Sequence, residues 1–155
     1  MDSKKTLVID KKFSLLNTDL INYGATYLSV LMFSKDNHVL LSKSNNPEWV
    51  EEFTSTGLYK HCHLLNEAST QMKSNPSSFT LAWDLYQPVT EKAKELNEIR
   101  QYKDITHGVG FCTTNTDGSR LLLNIAGKYS DINFGLSILK NRVAVFHSLR
   151  NFIAV

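Results

Sequence analysis

The segment THGVGFCTTNTDGSRLLLNIAG, residues 106–127, sets the strongest limit on what this chain can become. It reads as two strands, HGVGFCTT and SRLLLNIAG, joined at Asp117-Gly118, a hairpin dipeptide whose two central residues favour positive φ. Side chains alternate faces along a strand. Val109 and Phe111 therefore share one face, and Gly108, Gly110 and Cys112 share the other. On the partner strand Asn124 lies with Leu122 and Ala126. One face is dense and apolar, whereas the other has almost no side-chain volume. Interiors are close-packed, so a bulky neighbour or a ligand must fill that space. A helix seated there through Trp49 or Trp83 would serve equally well. Asn124 needs a hydrogen-bond partner on this face, either a loop backbone or a ligand carbonyl.

The remaining elements supply the layers. ATYLSVLMF (25–33) and HVLLSK (38–43) read as a second hairpin across SKDN. NPEWVEEFTSTG has helix-start chemistry, with Asn46 as cap, Pro47 at the first helical position and Gly57 as the stop. A helical pattern with Cys62, Leu65 and Met72 inward follows. PVTEKAKELNEIRQYK (88–103) predicts an amphipathic helix with Val89, Ala93, Leu96 and Ile99 on one stripe. From Ser130 or Asp131 a long terminal helix carries two apolar stripes. One is Ile132, Leu136, Leu139, Val143 and Phe146; the other is Phe134, Ile138, Val145, Leu149 and Phe152. The order predicts an α+β fold, an antiparallel sheet covered by helices.

With 155 residues the chain suits one domain, residues 1–155, and its 42% hydrophobic content suits a packed core. A net charge of +2, with the charges interspersed, argues against nucleic-acid or anionic-membrane binding by these residues. No signal peptide or membrane span is expected. Cys62 and Cys112 form no Cys-x-x-Cys pair, which favours a reducing cytoplasm. In the run GLYKHCHLL, His61 and His63 point about 200° apart on a helix and cannot share an ion there. No metal site, cofactor or catalytic motif is expected.

NPEWVEEFTSTGLYKHCHLL, followed by AWD and then ITHGVGFCTTNTDGSRLLLNIA, resembles the N-terminal autoinducer-binding domain of LuxR-type quorum-sensing regulators. The resemblance spans about residues 20 to 155 and implies a GAF/PAS-like α/β/α sandwich with an antiparallel sheet of about five strands. It places Trp49 at the family tryptophan that donates to the ligand head group, Trp83 at a second tryptophan and Gly108 at the strand glycine. Asn124 falls near a family Ser or Thr that bonds a ligand carbonyl. Phe53 stands where the family has a ligand-contacting Tyr. His63 stands where an Asp accepts the amide N–H of the signal, and Leu64 replaces the following proline. Losing that carboxylate removes a bond of roughly 1.5–3 kcal/mol. The expected ligand is thus a neutral aromatic or heterocyclic molecule rather than a standard acyl-homoserine lactone, held by Trp49, Phe53, Tyr59, His63, Trp83, Gly108, Cys112 and Asn124.

The resemblance implies a non-enzymatic sensing domain of a transcription regulator, binding a small-molecule signal as a homodimer. DNA would be bound only through an output domain, since no helix-turn-helix is recognisable in these residues. Two alternatives stand beside it. One is a stand-alone interaction protein of the same fold that pairs with a regulator. The other is a small enzyme using His63, His107 or Cys112.

Overall fold

The computed structural model describes residues 3–75 and 77–153. Helix α1 (Ser3–Ile21) leads into β1 (Ala25–Phe33) and β2 (Val39–Ser44). Helix α2 (Pro47–Ser55), a 3₁₀ turn (Leu58–His61) and α3 (His63–Ser74) follow. Strand β3 (Phe79–Ala82), a 3₁₀ turn (Trp83–Leu85) and α4 (Glu91–Tyr102) come next. The hairpin β4 (Thr106–Thr114) and β5 (Arg120–Gly127) precedes α5 (Phe134–Lys140) and α6 (Arg142–Ile153). The five strands form one sheet in the order β2-β1-β5-β4-β3, antiparallel throughout.

Helices cover both faces, so the α+β sandwich expected from the sequence is present. On one face Leu28, Val30, Val109, Phe111, Leu121, Leu123 and Ile125 pack against Leu16 and Leu20 of α1, Phe134 and Ile138 of α5, and Val145, Leu149 and Phe152 of α6. On the other, Tyr27 and Ala126 meet Trp49 of α2, Cys62, Leu64 of α3, Leu96 of α4 and Ile105. The alternation drawn for the glycine strand holds: Val109 and Phe111 enter the first layer, and Gly110 and Cys112 pair with Asn124 and Leu122 facing the second.

Local chemistry explains the element ends. Asn46 caps α2 by accepting from the Trp49 amide at 3.1 Å, with Pro47 at the first position. Both hairpins turn alike. Gly118 N donates to Asn115 O and Asn37 N donates to Ser34 O, and each donor residue sits in the left-handed region, at φ 87° and 64°. This is a type I turn with one left-handed residue after it. Only Gly118, not the Asp117-Gly118 pair, takes positive φ. Asp117 instead accepts from the amide and hydroxyl of Ser119.

Several sequence expectations shift. The pattern after Gly57 is broken at Cys62, which is extended and caps α3 by accepting from Leu65 N at 3.3 Å. The buried positions of α3 are therefore Leu64 and Ala68, with Leu65 half-buried. Val89 lies outside α4 and is exposed, and the buried stripe is Ala93, Leu96 and Arg100. The terminal helix is two helices, because Asn141 N and Nδ2 close α5 on the carbonyls of Ser137 and Ile138. The Phe134 stripe is buried across that break, while Ile132, Leu136 and Val143 of the other stripe stay exposed. Helix α1 was not expected, although Ile9, Phe13, Leu16 and Leu20 mark its inner face.

Phe134 carries the first layer at its lower end. Its ring lies against Gly127, where an added Cβ would come within 2.6 Å of it. Phe134→Ala should lower stability by about 3–5 kcal/mol, and Leu136→Ala, on the opposite, exposed side of the same helix, by no more than about 0.5 kcal/mol. Denaturant unfolding of the two variants checks this; equal losses would contradict the assigned core.

Candidate functional site

The second layer is where the sparse sheet face meets the aromatic helices. Trp49, 4% exposed, lies 5.6 Å from the ring of Phe53, which in turn meets the edge of Tyr59 at 6.5 Å. Tyr59 is itself exposed, at the rim of this chain of rings. Lys103 lies over the Trp49 ring and the Arg100 guanidinium over Phe53, at 5.7 and 5.9 Å.

Trp83 fills the space left by Gly108. A Cβ at that position would stand 2.5 Å from the indole ring. Here the bulky neighbour, not an empty gap, answers the missing volume. Beside Gly110 the nearest atom to such a Cβ would be Asn124 Oδ1, at 3.1 Å. Asn124 Nδ2 reaches Ser29 Oγ at 3.4 Å. Asn124 is half-buried although β5 lies at the centre of the sheet, so the helices do not seal the middle of this face. Cys112, further along β4, is fully buried beside Phe79 and Leu122. Burial pushes its thiol pKa up against the opposing pull of Arg120.

A cavity of about 170 Å³ opens between the start of α3, the Trp83 turn and α4. His63, Trp83, Asp84, Tyr86, Arg100 and His107 line it. Of the residues singled out in the sequence as ligand-binding, His63 and Trp83 meet here, and so does His107, named for the enzyme alternative. Trp49 and Phe53 stand behind, in the cluster that Arg100 also touches. Gly110, Cys112 and Asn124 share the sheet face but do not line this cavity.

Arg100 is the residue that sequence reading missed. It is 5% exposed, on the buried stripe of α4 seven residues after Ala93 and four after Leu96. A charge at that helical spacing was the available signal. Its Nη2 donates to Cys62 Sγ, and its Nη1 has no partner. His63 Nδ1 is likewise buried without a partner. Burial, then the nearby Arg100 charge, lowers the His63 pKa against a hydrogen bond to the Tyr86 backbone. The ring is thus neutral near pH 7. Burial also raises the Tyr27 phenol pKa on the facing strand, despite the Ser29 and Ser44 hydroxyls and the Arg100 charge.

His107 clips the cavity's outer edge. It has φ 53° at an irregularity in β4, turning its ring between Asp84 Oδ2 and the Tyr129 carbonyl, each at 2.9 Å. Burial disfavours the imidazolium, but the bonds to Asp84 and Tyr129 and the charges of Asp84 and Asp131 outweigh it and raise the pKa. Among the described residues no group of three or more His, Cys, Asp or Glu is placed to hold a metal ion. No helix among them is long and apolar enough to cross a membrane.

No protein-family model matches this sequence, and no curated protein is detectably similar to it. Solved structures do resemble it. Escherichia coli SdiA overlaps 99% of this chain at 15% identity and a TM-score of 0.63, and the chain spans 62% of SdiA. A second SdiA structure of like overlap is a complex with octanoyl-rac-glycerol. CepR2 of Burkholderia cenocepacia, an N-acylhomoserine lactone dependent LuxR family transcription factor, is 10% identical with a TM-score of 0.61, covering 98% of this chain and 97% of its own. The LBD domain of Pseudomonas aeruginosa VqsR is 16% identical with a TM-score of 0.53, covering 99% and 98%.

Two outcomes test this geometry. Gly108→Ala should displace Trp83, changing tryptophan fluorescence and costing about 1–3 kcal/mol of stability; an unchanged emission spectrum would place Trp83 elsewhere. The folded state binds the His107 proton more tightly than the unfolded chain. Its contribution is therefore complete below the ordinary value of 6.5 and fades as pH rises through the higher folded value. Melting curves should show that loss, and His107→Gln should flatten it. Across almost its full length this chain has the fold of the LuxR-family protein CepR2 and of SdiA.

Proposed function

We propose that this chain is the small-molecule sensing domain of a LuxR-type transcription regulator and binds its signal between the sheet and the α2–α4 layer. The observation that carries the reading is the fold shared with CepR2, SdiA and VqsR over 98–99% of the chain. The second layer supports it, with Trp49, Phe53 and Trp83 set around buried polar groups that lack partners. Ligand sites are mostly apolar concavities with a few convergent polar groups. The role is non-enzymatic and needs no cofactor, and the working location is the cytoplasm.

The signal is a molecule other than a standard acyl-homoserine lactone. His63 and Phe53 remove the carboxylate and the hydroxyl that the resemblance assigns to such a ligand, and a cavity of about 170 Å³ suits a compact molecule. The domain works as a homodimer, using exposed apolar residues such as Leu136 and Val143 of the outer helices. DNA contact belongs to an output domain.

A panel of aromatic metabolites and lactones, screened by thermal shift, tests the reading. A true ligand at a hundredfold excess over its Kd should stabilise the fold by about 2.7 kcal/mol. A flat response to the whole panel would count against sensing.

A second reading has its own support. Trp83 over Gly108 narrows the chamber, which also suits an interaction protein that pairs with a regulator and holds no ligand. Co-purification with a helix-turn-helix regulator, together with no thermal shift, would favour it. A strictly monomeric chain in sedimentation would contradict the homodimer and weigh against this pairing.

A further inference from the structure

Among the described residues two arginines are buried, and their surroundings differ. Arg120 donates to the carbonyls of Met72, Asn75 and Ser77 and to Thr114 Oγ1. It ties the end of α3 to the sheet, with all three guanidinium nitrogens hydrogen-bonded. Arg100 has one hydrogen bond, to a sulfur, and the face of Phe53. Its Nη1 is sealed from solvent with no acceptor. It forms no ion pair among the described residues. The carboxylate sharing its cavity wall, Asp84, is turned to His107, and Glu52 beside Phe53 pairs with Lys103. The carboxyl-terminal end of α4 offsets part of the charge through the helix dipole. A buried guanidinium with an unused donor remains costly unless an acceptor arrives.

We propose that the cavity between α3, α4 and the Trp83 turn binds a small aromatic or heterocyclic acid, its carboxylate accepting from Arg100 Nη1. The proposal rests on the sensing reading above and names the ligand class for it. A cavity of about 170 Å³ suits one or two rings rather than an extended tail. The Trp83 and Tyr86 side chains supply an aromatic wall for the ring. His63, neutral and with Nδ1 free, accepts from an N–H or O–H beside the carboxylate. Binding requires the guanidinium to swing a short way from Cys62 into the cavity. The sequence led to the expectation of a neutral ligand; the buried Arg100 on the cavity wall favours an acid instead.

Isosteric pairs separate charge from shape. Benzoate against benzamide, and indole-2-carboxylate against indole-2-carboxamide, are titrated by calorimetry and thermal shift into this protein and its Arg100→Met and Arg100→Lys variants. The acids should bind about tenfold or more tighter than their amides, the ratio expected of one charge-assisted bond. Arg100→Met should lose that preference while melting at the same temperature as the parent or higher. Arg100→Lys should keep the preference with weaker binding. Equal binding of acid and amide, or acid preference retained in Arg100→Met, overturns the assignment. So does a large fall in the melting temperature of both variants, which would make Arg100 structural. If amides or lactones bind and acids do not, the acid assignment fails while sensing stands. If acids, amides and the wider panel all fail to bind, sensing fails with it.

Discussion

A five-stranded antiparallel sheet must bury two faces, and here the two are chemically unlike. One presents Leu28, Val30, Val109, Phe111, Leu121, Leu123 and Ile125, which close against α1, α5 and α6 without a polar group among them. The other presents Tyr27, Ser29, Gly110, Cys112, Leu122, Asn124 and Ala126. Small and polar side chains there cannot complete a layer by themselves. Bulk must come from the opposite side, and Trp49, Phe53 and Trp83 provide it. The asymmetry divides the molecule into a structural half and a half with room for chemistry.

Polar groups are used unevenly across the molecule. Where the fold needs a fixed joint, side chains bridge segments: Arg120 holds the α3–β3 connection, and Asn45 accepts from Leu28 N while donating to Asn17 of α1. His107 joins the Trp83 turn to the residues after β5 by facing two acceptors at once. In the second layer the pattern changes, and Arg100 Nη1 and His63 Nδ1 are buried but unused. Buried polar atoms are satisfied as a rule. Three such exceptions occur among the described residues; Thr113 Oγ1 lies on β4, and the other two share one cavity wall and direct attention to a ligand.

Much of this could be read from residue order. The two hairpins, the capped α2 and the opposed faces of β4 followed from alternation and turn chemistry, because those depend on neighbours a few residues apart. Helix α1 escaped because Leu7, Val8 and Leu15 place apolar residues on its outer side and blur the stripe. Strand β3 is four residues long, too short for alternation to register. The break at Asn141 was hidden because one stripe, from Ile138 to Val145, runs on across it with a seven-residue step. Of the site residues, Gly108 and the need for Trp49 or Trp83 beside it came from strand alternation, and the roles of Phe53 and His63 from a resemblance in spacing, whereas Arg100 read as one more charge on an amphipathic helix.

The sequence by itself determined the alternation of bulky and bare positions along the sheet, the turns between strands and the aromatic content available to cover one face. Those are properties of local geometry and composition. Only the tertiary structure decided that Trp83, not Trp49, lies over Gly108, that Cys62 ends one helical segment and caps the next, and that Arg100 faces inward without an acceptor. Such outcomes depend on which distant segments fit the same volume best, and close packing admits one occupant per space.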